Sequence, residues 1–283
     1  VLKENGYYNL FFMTHEGQYD NMNAFFRTNG YDEVFSQEDY PADKVVNSFG
    51  VQDDFLYDYA IPVLNQRAAT GQPFFATLLS ISNHPPYVIP PFFHPKTSEP
   101  ETQIVEYADW ALRQFFEEAR KQPWFDNTIF VLEGDHGKLV GDAECELPES
   151  YNHIPLMIYS SRIQPEEKTT FGGQVDIQPT ILGLLNIDYL QNNFGVDLLK
   201  EERPCMFYTA DNMVVGRNDT LLYLYNYETQ QELTYDIGNG KLNAVPMDDS
   251  FLPLKEYSFS MLQSAEFLVK HGKTLNSIPF TQQ

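Results

Sequence analysis

The sequence predicts an α/β fold: a mostly parallel central sheet flanked by helices, then a small antiparallel β extension and a closing helix. Three observations predict it. Strand-like apolar runs alternate with helix-period segments through the first two-thirds of the 283 residues, as a helix-covered parallel sheet requires. The runs Pro73 to Ile81 and Thr128 to Leu132 are short and continuously apolar, as strands buried on both faces are. After Glu201 the runs shorten and are punctuated by Asn-Asp, Tyr-Glu-Thr and Gly-Asn-Gly, the texture of an antiparallel meander.

The elements follow in order. Tyr7 to Met13 is a β-rich run entered from Gly6, and Asp20 to Arg27 is a short helix stopped at Asn29-Gly30. Asp53 to Ala69 is a longer helix, with two aspartates suited to its N-terminus and Gly71 just past its end. The proline-rich stretch His84 to Pro100 is a loop at the C-terminal end of the strand before it. Glu101 to Lys121 is the clearest helix, and Ile104, Val105, Ala108, Leu112, Phe115, Phe116 and Ala119 are predicted to line its inward face. Ile154 to Tyr159 is a further strand, and Ile177 to Leu185 a helix with Pro179 in its first turn. Short strands from Met206 to Tyr235 precede a last helix, Leu254 to Lys270, expected to turn Tyr257, Met261, Ala265 and Leu268 inward. The chain therefore divides into 1–200, part of a catalytic domain, and 201–283, the antiparallel extension with its closing helix.

Composition narrows the function. A hydrophobic share of 42% with 15% aromatics excludes disorder. The formal charge of −22, from 40 acidic and 18 basic residues, repels polyanions and excludes nucleic acid as a partner. It serves solubility, and it also suits a bound divalent cation, which reverses the local field. No apolar run is long enough to cross a bilayer. Val1 to Gly6 reads like the tail of a helix running into a strand, so the sequence is expected to start inside a fold. Cys145 and Cys205 sit in no metal-type spacing, and pairing and free thiols both stay open.

Ligands of open α/β sheets bind beyond the carboxyl ends of the strands, and the polar residues gather there. Thr128 to Leu132 runs into Glu133-Gly134-Asp135-His136-Gly137. A carboxylate and an imidazole on a turn made permissive by glycine can both face one cation, or can merely satisfy a tight turn. Pro73 to Ile81 delivers Ser82-Asn83-His84-Pro85, where a histidine can bond an anionic oxygen or act as a general acid, or simply brace a loop. His15, after the first strand, and His153, just before another, are further candidates. No Gly-x-Ser-x-Gly elbow, P-loop or supported strand-end Ser, Thr or Cys supplies a nucleophile.

The order of these motifs carries a family resemblance. Gly6-Tyr7 entering a strand is followed by Tyr19-Asp20-Asn21-Met22, Asn29-Gly30-Tyr31-Asp32, Pro73-Phe74-Phe75 and Ser82-Asn83-His84-Pro85. Tyr107-Ala108-Asp109, Phe125 to Val131, Gly134-Asp135-His136-Gly137, Ile154 to Ile158 and Gly173 to Thr180 complete the series. The chain resembles the lipoteichoic acid synthase branch of the sulfatase family, within the alkaline-phosphatase superfamily, from residue 6 to residue 187.

The resemblance implies a metal-dependent enzyme acting on phosphoryl or sulfuryl esters. Phosphoglycerol or phosphoethanolamine transfer, or phosphodiester hydrolysis, at the outer membrane face leads. Sulfate-ester hydrolysis is one alternative, and a non-catalytic binding domain that keeps the fold is another. Asp135 and His136 match the pair that holds one divalent cation, manganese, magnesium or zinc. His84 matches the histidine at the phosphate or leaving group. Tyr19 and Asp20 lie where substrate contacts are placed; His15 and His153 join them as candidate contacts on their positions at strand mouths, and His153 matches no assigned residue of the family. The tryptophan and arginine of lipoteichoic acid synthases are absent from that stretch. The implied partner is a lipid- or glycan-linked anionic ester. A threonine nucleophile, one more acidic ligand and several membrane-spanning helices are expected upstream of Val1. On that expectation the chain alone is inactive, with its cation weakly held or absent, and the full-length protein sits at the extracytoplasmic face of the cell membrane.

Overall fold

The computed structural model describes residues 1–139 and 141–273. Two compact units divide the chain: Val1–Phe130 with Tyr159–Ile163, and Val131–Ile158 with the residues from Gln164 onward. The last ten residues of the predicted 201–283 extension lie outside the described residues.

In the first unit β1 (Tyr8–Met13) is flanked by β2 (Glu33–Phe35) on one side. A short antiparallel pair, β3 (Val45–Asn47) and β4 (Gly50–Val51), precedes β5 (Phe74–Leu79), which flanks β1 on its other side. Both β1 pairings are parallel, with Met13 opposite Leu79, so β1 and β5 discharge their chains at the same edge. Leu10, Phe11, Phe12 and Met13 are all buried. β5 was expected to be buried on both faces, yet it is the edge strand and Phe75 is exposed. The reason is its place in the sheet: only β1 has a strand on each side.

Helices α1 (Met22–Thr28), α2 (Asp53–Ala68) and α3 (Pro100–Ala119) belong to the same unit. Leu56, Ala60 and Leu64 of α2 meet Phe115 and Ala119 of α3, with Leu10 and Phe12 of β1, in one core. Full burial of each large apolar side chain there is worth about 1.5–3 kcal/mol. Of the predicted inward residues of α3, Ile104, Phe115 and Ala119 are buried and Leu112 and Phe116 pack against the core, while Val105 is exposed; Tyr107 and Ala111 are buried in addition. The Tyr107 ring is buried while its hydroxyl donates to the Asp54 carboxylate at 2.5 Å, so a polar-tipped aromatic serves as core.

In the second unit β6 (Phe130–Glu133, whose first residue belongs to the first unit) pairs with β7 (Leu156–Tyr159). Then come α4 (Ile177–Leu184) and a five-stranded antiparallel sheet of β8 (Met206–Ala210), β9 (Met213–Arg217), β10 (Leu221–Asn226), β11 (Gln231–Asp236) and β12 (Asn243–Ala244). One face of this sheet buries Met213, Val215, Leu222, Leu224 and Tyr235 with Leu147. The other buries Tyr223 with Phe251 and Leu254 at the start of α5 (Leu252–Lys270). Gly216 permits that contact, because a Cβ there would stand 2.5 Å from Ser258 Oγ. Leu254 and Ser258 are the buried positions of α5, while Tyr257, Met261, Ala265 and Leu268 are half-buried. His271 caps the helix, its Nδ1 2.8 Å from the Phe267 carbonyl.

Candidate active site

In the first unit the chain leaves β1 as Thr14-His15, both buried. The His15 Nδ1 lies 3.0 Å from the Glu16 carbonyl, and its ring packs on Tyr19, centroids 4.7 Å apart. After Tyr19, Asp20 and Asn21 both take left-handed backbone conformations, φ 47° and 58°, a costly arrangement for two successive non-glycine residues. Asp20 is exposed. The turn is tethered from behind, since Gly17 N–H donates to both oxygens of Glu38 at 3.1 and 3.2 Å. Burial pushes the Glu38 carboxyl up, but the Ser36 hydroxyl, backbone N–H groups and the His15 ring outweigh it and hold it below 4.5.

β4 presses against the same strand end. Val51 N–H donates to the Thr14 carbonyl at 3.1 Å, and Gly50 has φ +89° with no room for a Cβ, which would fall 1.7 Å from that carbonyl oxygen. This contact delivers Phe49, whose ring centroid is 6.2 Å from Tyr19 and 4.2 Å from His84. A cleft lined by Asn47, Phe49, Gln52, Ser82 and His84 opens beside it.

The His84 loop is tied down at its base. Asp53, buried at the first turn of α2, accepts from Ile81 N–H and Ser82 N–H, each at 3.0 Å. The Ser82 hydroxyl donates to Gln52 and accepts from Asp53 N–H, both at 3.1 Å. Burial raises the Asp53 carboxyl pKa against the pull of these donors. His84 itself is exposed, with Nδ1 2.7 Å from the Pro85 carbonyl. A carbonyl only accepts, so Nδ1 carries the proton and the lone pair of the neutral ring is on Nε2.

In the second unit β6 delivers the chain into Gly134-Asp135-His136-Gly137. His136 N–H donates to Asp135 Oδ1 at 2.9 Å, and His136 Nδ1 lies 2.8 Å from the Gly137 carbonyl. The neutral ring therefore keeps its lone pair on Nε2, 3.8 Å from Asp135 Oδ2. Both side chains are more than two-thirds exposed, 74% and 71%. Burial first, and then the charge of Asp135, pushes the Glu133 carboxyl up. Gly137 N–H donates to the Tyr151 carbonyl at 2.9 Å, and a Cβ on Gly137 would fall 1.9 Å from the Ser150 oxygen. From the other side the Gln174 carboxamide donates to the Asp135 carbonyl at 2.7 Å and the Gly134 carbonyl at 3.3 Å.

The pair fits a divalent cation in kind. A ligating histidine characteristically donates its second ring N–H to a carbonyl, and a carboxylate oxygen with an imidazole nitrogen is a donor set that zinc or manganese accepts. In number it supplies two ligands. Among the described residues no group of three or more His, Cys, Asp or Glu side chains gathers to hold an ion.

Of the residues predicted from sequence, the first unit brings His15 and Tyr19 together and reaches His84 through Phe49. The second joins Asp135 to His136. His153 is exposed, with its backbone N–H on the Glu149 carbonyl at 2.8 Å and no partner for its ring among the described residues. Phe49, Gly50 and Gln174 escaped prediction as site residues. Gln174 alone had a signal, its place inside the Gly173 to Thr180 motif. Cys145 and Cys205 are free, and burial raises both thiol pKa values.

The family described as Sulfatase matches residues 1–187. Lipoteichoic acid synthase 1 of Bacillus subtilis is 27% identical over 243 residues, 78% of this chain and 36% of that protein. The chain thus spans little more than a third of that relative's length. A crystal structure of a protein in the alkaline phosphatase superfamily from Vibrio parahaemolyticus has TM-score 0.82 at 28% identity, over 94% of this chain and 67% of the other. A lipoteichoic acid synthase from Listeria monocytogenes gives 0.80 at 22% identity, over 99% of this chain and 73% of the other, a likeness of fold alone.

Proposed function

This chain belongs to the sulfatase family, and from that premise we propose that it carries the cation-holding part of a phosphoglycerol-transferase-type enzyme. The observation that carries the proposal is the Asp135–His136 pair, exposed at a strand end with the Nε2 lone pair beside the Asp135 carboxylate and the opposite ring nitrogen fixed on a carbonyl. The likeness to lipoteichoic acid synthase 1 favours phosphorus over sulfur as the transferred centre.

Asp135 and His136 would hold one manganese, magnesium or zinc ion, which when bound neutralises charge developing on the transferring group. The remaining work falls to side chains of this sequence. His84 presents Nε2 for a phosphoryl or leaving-group oxygen, accepting a proton when neutral and donating one when charged. Tyr19 offers an aromatic face to the headgroup and Asp20 a carboxylate, while His15, buried behind Tyr19, backs that ring and is not itself open to a substrate. With no partner for its ring among the described residues, His153 is the least supported of the substrate contacts. The substrate is a lipid- or glycan-linked anionic ester, and the full-length protein works at the outer face of the cell membrane. The chain by itself, in which no nucleophile is found, is expected to be inactive.

The test is turnover by the full-length protein of a phosphatidylglycerol-type phosphodiester beside a matched sulfate ester. Phosphodiester turnover should dominate and fall about 10³-fold or more in Asp135→Ala. Faster turnover of the sulfate ester, or an unimpaired Asp135→Ala, overturns the reading.

A further inference from the structure

The Asp135–His136 loop is gripped from two sides, and both grips lead back to the C-terminal sheet and helix. On one side Gln174 binds the carbonyls of Gly134 and Asp135. Gln174 opens a single turn of 3₁₀ helix, Gln174–Asp176, ahead of α4. Asp176 locks that turn: it is fully buried and accepts from Gly173 N–H and Val196 N–H, each at 2.8 Å. Its charge is met by Arg203, itself buried, in a two-pronged pair with Nε–Oδ2 at 3.0 Å. Arg203 also donates to the Phe194 carbonyl at 2.7 Å and to the Tyr257 hydroxyl of α5 at 3.1 Å. On the other side the turn that accepts Gly137 N–H carries Glu149, paired at 2.8 Å with Arg217 of β9.

We infer that Gln174 is a positioning residue for the Asp135–His136 pair, mounted on the C-terminal sheet and helix through Asp176 and Arg203. The inference rests on the reading of Asp135 and His136 as cation ligands. Two bonds from one carboxamide to consecutive carbonyls fix the peptide plane between Gly134 and Asp135 and the one that follows. They thereby fix the direction in which each ligand side chain leaves the backbone. A carboxamide suits the place, since it donates without charge and does not repel a cation as lysine or arginine would. Gln174 is exposed, so replacing it removes the clamp without opening the core. The antiparallel extension on this account is a scaffold for the ligand loop.

The experiment is Mn²⁺ binding to the full-length protein, followed by the electron paramagnetic resonance of the free ion, for wild type, Gln174→Met, Asp135→Ala and His136→Ala. The thermal midpoint of each metal-free protein is recorded alongside. Gln174→Met should bind Mn²⁺ about tenfold more weakly, the usual scale for a residue that orients a ligand, with its metal-free midpoint within about 2 °C of wild type. Asp135→Ala and His136→Ala should lose the ion. If those two lose it while Gln174→Met binds as wild type does, the positioning role is overturned and the ligand reading stands. It is overturned equally if the weaker binding comes with a matching fall in the metal-free midpoint, the mark of a merely structural residue. Should Asp135→Ala and His136→Ala bind like wild type, the ligand reading fails first and takes the inference with it.

Discussion

His84 and His136 each stand just beyond a strand end, and each donates its Nδ1–H to the carbonyl of the next residue, Pro85 in one case and Gly137 in the other. Their mounts differ. The His84 loop is anchored at its base by the buried Asp53 carboxylate on Ile81 and Ser82, and its ring leans on Phe49. The His136 loop has no aromatic wall among the described residues; the Gln174 carboxamide and a backbone bond to Tyr151 hold it. The Gln174 bonds lead back to a buried ion pair, Asp176 with Arg203, and the Tyr151 bond to a turn whose Glu149 pairs with Arg217. Ring orientation is therefore a local matter in both loops, while loop position rests on a buried hydrogen-bonded carboxylate in one and on a clamp backed by a buried charge pair in the other.

The difference is open to test by stability. Asp176→Ala leaves the Arg203 guanidinium buried without its counter-charge and should cost about 3–5 kcal/mol, the largest effect expected. Asp53→Ala removes a carboxylate from two backbone donors but strands no opposite charge, and about 1–3 kcal/mol is expected. Urea unfolding of the two variants measures both, and a cost for Asp53→Ala above that for Asp176→Ala would reverse the comparison. The smallest effect belongs to acid. The Glu38 carboxyl is held below its ordinary 4.5, so its tether on Gly17 stabilises the Tyr19 turn above that value and is lost as pH falls through the lowered pKa. The amide proton shift of Gly17 should titrate with a midpoint below 4.5 and stop responding in Glu38→Gln; a midpoint at or above 4.5 contradicts the tether.

How much was legible in the sequence follows the same division. Strand ends, the glycine-flanked Asp135–His136 turn and the proline-braced His84 loop are local patterns, and the structure places those residues at strand mouths. The parallel start and antiparallel finish were legible from run length and punctuation. What stayed hidden is tertiary. Gly50 looks like any loop glycine until the Thr14 carbonyl is seen in the place of its Cβ. Phe49 carries no periodicity that would mark it as a neighbour of His84. Arg203, 27 residues from Asp176, pairs with it only because the chain returns past α4. On α3 the predicted stripe was drawn through Val105, which is exposed, and left out Tyr107, whose ring packs as core while its hydroxyl reaches Asp54.

The central claim is that the two histidine loops do different work, one holding the ion and the other meeting the substrate. Ion content after Mn²⁺ loading and desalting of the full-length protein tests it directly. The account predicts that His84→Ala retains manganese at the wild-type level while His136→Ala loses it. Manganese retained in His136→Ala, or lost in His84→Ala, would contradict the assignment.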